Sequence, residues 1–228
     1  MSGTDRKPKS TPAVDTKTRI LHAAFRTLAT QGYAALSVRE IAKDAGVNHA
    51  LINYHFGTKD RLVIAVLDEA NRLLLERQRR MYASPGGFAQ KWAQARAFYE
   101  DDLASGFVRV QAELYAASLS NVELREQFLP RIRAWKGVVL EAVREALRMY
   151  APQLPEGFHA EAIATLISEF WLGMEFARLI GGDEERVRHE PALDAIGRML
   201  AALEAGGTAR GGAASGTRAR RGGTRSRR

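Results

Sequence analysis

Apolar residues recur at three- and four-residue spacing through most of the chain and nowhere alternate with polar ones over the length of a strand. That pattern predicts an all-α fold of about nine helices. Ile20, Leu21, Ala24, Phe25 and Leu28 form one stripe and predict a helix over about 15–31, stopped at Gly32. Ile41, Ala42 and Ala45 predict a short second helix behind Ser37, which with Glu40 has the form of a capping box. Gly46 supplies a left-handed stop, and Asn48 caps a third helix that turns Leu51, Ile52 and Phe56 inward. Leu62, Val66, Ala70, Leu73 and Leu74 carry a longer helix over about 58–82, and Pro85, Gly86 and Gly87 break the chain after it.

Further helices are expected over about 88–104 and 107–119. Ser120 with Glu123 makes a second capping box and opens a helix to about residue 150, which Pro130 should kink or divide. A helix over 160–180 ends at Gly181 and Gly182, and Pro191 opens a last one to about residue 204. Four segments are expected: a disordered arm over 1–14, a small helical domain over 15–61, a larger one over 62–206, and a disordered Arg/Gly tail over 207–228.

A short helix, a glycine-bearing turn and a second short helix form a helix-turn-helix, whose second helix normally reads bases in the DNA major groove. Its residues suit that task. Asn53 can pair with adenine N6 and N7, and Ala50 can pack on a thymine methyl. Asn48 and His49 stand at its start, and Tyr54, His55, Thr58 and Lys59 are phosphate-reaching types. Thr18 lies near the start of the first helix, within reach of the DNA backbone. The amides that open the second helix, at Ser37, Val38 and Arg39, offer an anion site. The pattern alone also fits a solvated amphipathic pair of helices.

The run from Thr18 to about Val66 resembles the N-terminal domain of the TetR family of transcriptional regulators. The matching pieces are ILHAAFRTLATQGY with its stop at Gly32, S-V-R-E-I-A, A-G-V at the turn, Y-H-F, and a lysine near the start of the fourth helix. Beyond it the likeness lies only in length and helical pattern. The resemblance implies a homodimer that binds a palindromic operator in double-stranded DNA, with a small-molecule effector in the C-terminal domain. The position before Tyr54, often aromatic in that family, is Asn53 here, so base preference does not carry over.

Charge sharpens the picture. The net +8 sits at the ends: residues 208–228 carry +7, residues 1–19 carry +3, and the remainder carries −2. Basic arms beside a DNA-reading unit usually meet phosphate, although a solvated tail explains the C-terminal one as well. The 228 residues contain no cysteine, so disulfides and thiolate chemistry are excluded and a reducing, cytoplasmic, nucleoid-associated setting is expected. MSGTDRKPKS lacks an apolar region, and no secretory signal or membrane span is expected.

The segment 163–177 is apolar nearly all round, which demands burial on several sides. One face is expected in the domain core and another against a second copy. Ile163, Ile167 and Trp171 with Leu193, Ile196 and Leu200 are the expected dimer contacts. The domain is rich in aromatics with a few polar groups among them, a composition that fits a ligand pocket and an ordinary core alike. Phe107, Gln111, Tyr115, Trp135, Phe170 and Met174 are the candidate pocket residues. Such a pocket suits a cation through cation–π contact, and an uncharged lipophile no less well.

No catalytic or metal-ligating set emerges. The five histidines show no i, i+4 pair, and neither a phosphate-binding glycine loop nor a G-x-S-x-G elbow is present. The expected function is a DNA-binding regulator without a cofactor, most simply a repressor released by its ligand. An activator on the same fold and a non-specific architectural DNA binder are the alternatives.

Overall fold

The computed structural model describes residues 15–150 and 156–218, and every regular element among them is a helix. They are α1 (Thr16–Gln31), α2 (Val38–Ala45), α3 (His49–Phe56), α4 (Lys59–Ala83), α5 (Phe88–Ser105), α6 (Phe107–Ser120), α7 (Val122–Tyr150) and α8 (Ala160–Arg218). The expected nine reduce to eight because α8 runs on through Gly181. It breaks direction at Gly182, whose φ of 58° and ψ of −136° lie outside helical values. The second part of α8 starts at Asp183, ahead of the expected Pro191. Ion pairs at helical spacing, Arg186 to Glu190 and Arg188 to Glu184, support the turns before the proline. The helix also continues past Gly207 to Arg218, where a disordered tail was expected. The arm over 1–14 and residues 219–228 of the tail lie outside the described residues.

Several local expectations are corrected. Helix α7 passes through Pro130 undivided. It is capped by Asn121, whose Oδ1 accepts from Leu124 N–H at 3.0 Å, rather than by Ser120, whose hydroxyl is turned back to the Ala117 carbonyl. The capping box at Ser37 does not form: no side chain caps α2, and the Ser37 carbonyl accepts from Ile41 N–H at 3.0 Å. Glu40 lies out in solvent.

One apolar core joins the first four helices to the rest. Ile20, Leu28, Ile41, Ile52 and Leu62 are wholly or almost wholly buried, and the same cluster continues through Leu67 and Leu114 to Leu124 and Phe128. Each such side chain contributes about 1.5–3 kcal/mol on burial. Glycines allow the close approach of α1 and α6. A Cβ on Gly106 would stand 2.7 Å from the Ala29 side chain, and one on Gly32, whose φ is +82°, would stand 2.7 Å from the Glu113 carboxylate.

Two further junctions close the body. The Trp92 indole N–H on α5 donates to the Leu193 carbonyl at 2.9 Å. The Glu204 carboxylate in the second part of α8 accepts from Ala89 N–H at 2.9 Å. It thereby serves the α5 N-terminus, where Gly87 has no side chain to offer.

Candidate nucleic-acid interface and ligand cavity

Helices α2 and α3 are held at a fixed angle by the turn between them. Gly46 is left-handed, with φ of 64° and ψ of 40°; its N–H donates to Lys43 and that of Val47 donates to Ala42. This is a Schellman stop. Asn48 then caps α3, its Oδ1 accepting from Ala50 N–H at 2.9 Å. Arg26 of α1 reaches Asp44 of α2 with two nitrogens, at 2.7 and 3.2 Å, a contact too distant in sequence to anticipate.

Helix α3 is pinned by Ile52 and Phe56, both buried. His49, Ala50, Asn53, Tyr54 and His55 are exposed, Tyr54 to 82%. Leu51, expected to face inward, is 40% exposed, because Ile52 and Phe56 at i, i+4 already fill the contact with the body. Two of the expected phosphate residues also serve the fold. Thr58 caps α4 by accepting from Arg61 N–H at 3.2 Å, which leaves its own O–H proton to donate. The Lys59 ammonium sits 4.4 Å from the centre of the Tyr33 ring. Val38 packs partly into the core, so only its amide can face an anion, whereas Arg39 is exposed. Thr18 is half-buried. A shallow groove beside α3 adds Lys17 and Arg61 to Asn53 and His55, cations that the periodicity did not single out.

A network ties this head to the body. The Tyr33 hydroxyl donates to Asp60 at 2.5 Å, Asn121 Nδ2 donates to the other Asp60 oxygen at 3.0 Å, and Tyr33 N–H donates to Glu113 at 3.0 Å. Burial, with the Asp60 carboxylate beside it, pushes the Tyr33 phenol up to about 12.

The body encloses a cavity of about 70 Å³ between α4, α5, α6, α7 and α8. Of the six residues expected to line a pocket, Phe107, Gln111, Tyr115 and Trp135 line this one. Phe170 does not, being 37% exposed on the outer side of α8, and Met174 packs instead with Tyr99 and Leu193. Ile167 and Trp171, expected at a dimer contact, face the cavity. Leu193 is buried within the chain, Ile163 packs beside Val139 and Val143, and Ile196 and Leu200 are half-buried. A helix apolar on all sides gives no face by periodicity, so the sequence leaves its register open.

Also on the cavity wall are Gln78, Tyr82, Phe98, Tyr99, Asp102 and Glu175. Asp102 is paired with Arg77 at 2.6 Å, and the Arg77 guanidinium lies 4.3 Å from the Phe98 ring centre. Burial, with Asp102 nearby, pushes the Glu175 carboxyl up to about 8. No group of side chains that could hold a metal ion is found among the described residues, and no helix among them is long and apolar enough to cross a membrane.

Residues 20–66 match the family model described as "Bacterial regulatory proteins, tetR family". An HTH-type transcriptional repressor of Mycobacterium tuberculosis is 49% identical over 65 residues, which are 28% of this chain and 35% of that protein. The chain thus spans about a third of the length of these curated relatives. Among solved structures, the regulator FadR of Bacillus subtilis in complex with stearoyl-CoA has a TM-score of 0.65 at 20% identity, over 77% of this chain and 94% of that one. A transcriptional regulator of Saccharomonospora viridis in complex with choline has a TM-score of 0.64 at 20% identity, over 78% and 95%. At such identity these two likenesses bear on the fold alone. Residues 20–66 thus match the TetR family of bacterial regulatory proteins, and the chain shares the helical architecture of these solved regulators over most of its length.

Proposed function

We propose that the protein is a dimeric transcriptional repressor that reads a palindromic operator through α3 and leaves it when a small molecule occupies the body cavity. The observation that carries the DNA reading is the exposed row on α3. Asn53, Tyr54 and His55 stand free of the core, with Lys17 and Arg61 beside them. Asn53 has the amide that pairs with adenine, the cations suit phosphate, and the first-turn amides of α2 have no side chain capping them. The repressor named in Mycobacterium tuberculosis shares this part of the chain.

The dimer reading now rests on different residues from those expected. Leu166, Phe170, Gly173 and Ile180 are exposed along one side of α8 at heptad-like spacing, and Met199 and Leu203 are exposed beyond the break. The face over 166–180 fits a second copy related by a two-fold axis. Gly173 allows two helix backbones to approach closely.

Ligand control is supported by two helices that touch both places. Helix α4 starts at the head with Lys59 and Asp60 and lines the cavity with Leu74, Gln78 and Met81. Helix α6 lines it with Phe107, Gln111 and Tyr115, while its Glu113 and the following Asn121 hold Tyr33 and Asp60. A ligand that shifts either helix changes the spacing of two heads. Ligand and operator then oppose each other by one coupling free energy, typically about 1–3 kcal/mol. Neighbours of the same fold hold stearoyl-CoA or choline, which suits an effector site in the body. Titrating the operator with and without an effector found by screening tests the release step; equal affinities reject it.

A further inference from the structure

The charges around the cavity do not balance. Its lining includes seven aromatic side chains and two carboxylates, Asp102 and Glu175, and no lysine, arginine or histidine. Asp102 is matched from behind by Arg77. Glu175 forms no ion pair or hydrogen bond with any described residue; Tyr99 and Tyr115 beside it are neutral, Asp102 is a like charge, and the cations next to these groups, Arg77 and Arg178, are engaged with Asp102 and with Glu100 and Asp183. Gln78 adds a second acceptor: its Oε1 is buried and has no hydrogen-bond partner. A buried acceptor without a donor is costly, and a buried carboxylate without a cation more so. A glutamine or leucine at position 175 would serve a core better.

We propose that this cavity takes a small organic ammonium cation, with Glu175 as its counter-ion, Gln78 Oε1 as a second acceptor, and Phe98, Tyr99, Trp135 and Trp171 as its aromatic walls. The ring faces attract a cation. A neutral alcohol of the same shape can donate one hydrogen bond and brings no charge to Glu175, and an anion brings neither a donor nor a positive charge. The inference rests on the cavity being the effector site.

The test uses the full-length protein and three probes of one shape: butylammonium, 1-butanol and butyrate. Trp135 and Trp171 in the wall report binding by fluorescence. Butylammonium should bind tightest. Glu175→Gln should weaken it at least about thirtyfold, the loss expected when a buried charge partner is removed, while 1-butanol affinity changes less than about threefold. At pH 8.5, where Glu175 is ionised without a partner in the free protein, the variant should melt higher than wild type, which separates lost binding from lost folding. If 1-butanol or butyrate binds as well as butylammonium, the charge assignment is overturned and the effector cavity stands. The assignment also fails if Glu175→Gln leaves the ammonium affinity intact. Silence from all three probes overturns both.

Discussion

Glu175 should make the protein less stable as pH rises through the neutral range, and Glu175→Gln should remove that loss. The carboxyl has a pKa of about 8 in the folded protein against an ordinary value of 4.5. Between those values the folded chain holds a proton that the unfolded chain has released, so stability falls as pH rises. Each unit is worth about 1.4 kcal/mol, which gives a loss on the order of 3–5 kcal/mol, complete above pH 8 and absent below about pH 4.5. The groups facing Glu175 do not cancel it. Asp102 raises it further, Arg77 is engaged with Asp102, and the Tyr99 and Tyr115 phenols, both pushed up to about 12, stay neutral throughout. Urea unfolding of both proteins at pH 5.5, 7 and 8.5, at one protein concentration, measures the effect. The variant's advantage should be small at pH 5.5 and grow to several kcal/mol at pH 8.5. Parallel pH profiles would refute the burial of an unpaired carboxyl at this site.

Asn53→Ala should cost operator affinity by about 1–3 kcal/mol and relax the preference at one base pair of each half-site, read by competition titration. Leu166→Glu combined with Phe170→Glu places charge on the exposed face of α8 and should yield a monomer by size exclusion with light scattering; an intact dimer would move the interface elsewhere. Tyr33→Phe removes the hydrogen bond to Asp60 and should lower stability by about 1–2 kcal/mol in thermal unfolding. It should also shrink the ligand's effect on operator binding, since Asp60 then keeps only Asn121.

What could be read from sequence follows the range of the forces involved. The stop at Gly46, the cap at Asn48 and the stripe through Ile20, Ala24 and Leu28 are short-range features, and the structure reproduces them. Ser37 and Ser120 had the same local signature but do not cap, because a signature does not say which nearby polar group reaches the amide first: Asn121 reached it at α7. Leu51 was misassigned because two inward residues suffice on an eight-residue helix. The Tyr33–Asp60–Asn121 network and the Arg26–Asp44 pair join residues 18 to 61 positions apart, and no periodicity announces them. Helix α8 was the hardest to read. With apolar residues on every side, only the packed structure separates Ile167 and Trp171, which face the cavity, from Leu166 and Phe170, which face out.

Whether two copies of α3 read a specific duplex sequence is decided by selecting bound fragments from a random duplex library with the purified full-length protein. One enriched palindrome is expected, with half-site centres about 34 Å apart or a multiple of that, lost when Asn53→Ala is used in the selection. Binding that enriches no sequence, with affinity set by salt alone, would contradict it and leave a non-specific DNA binder in its place.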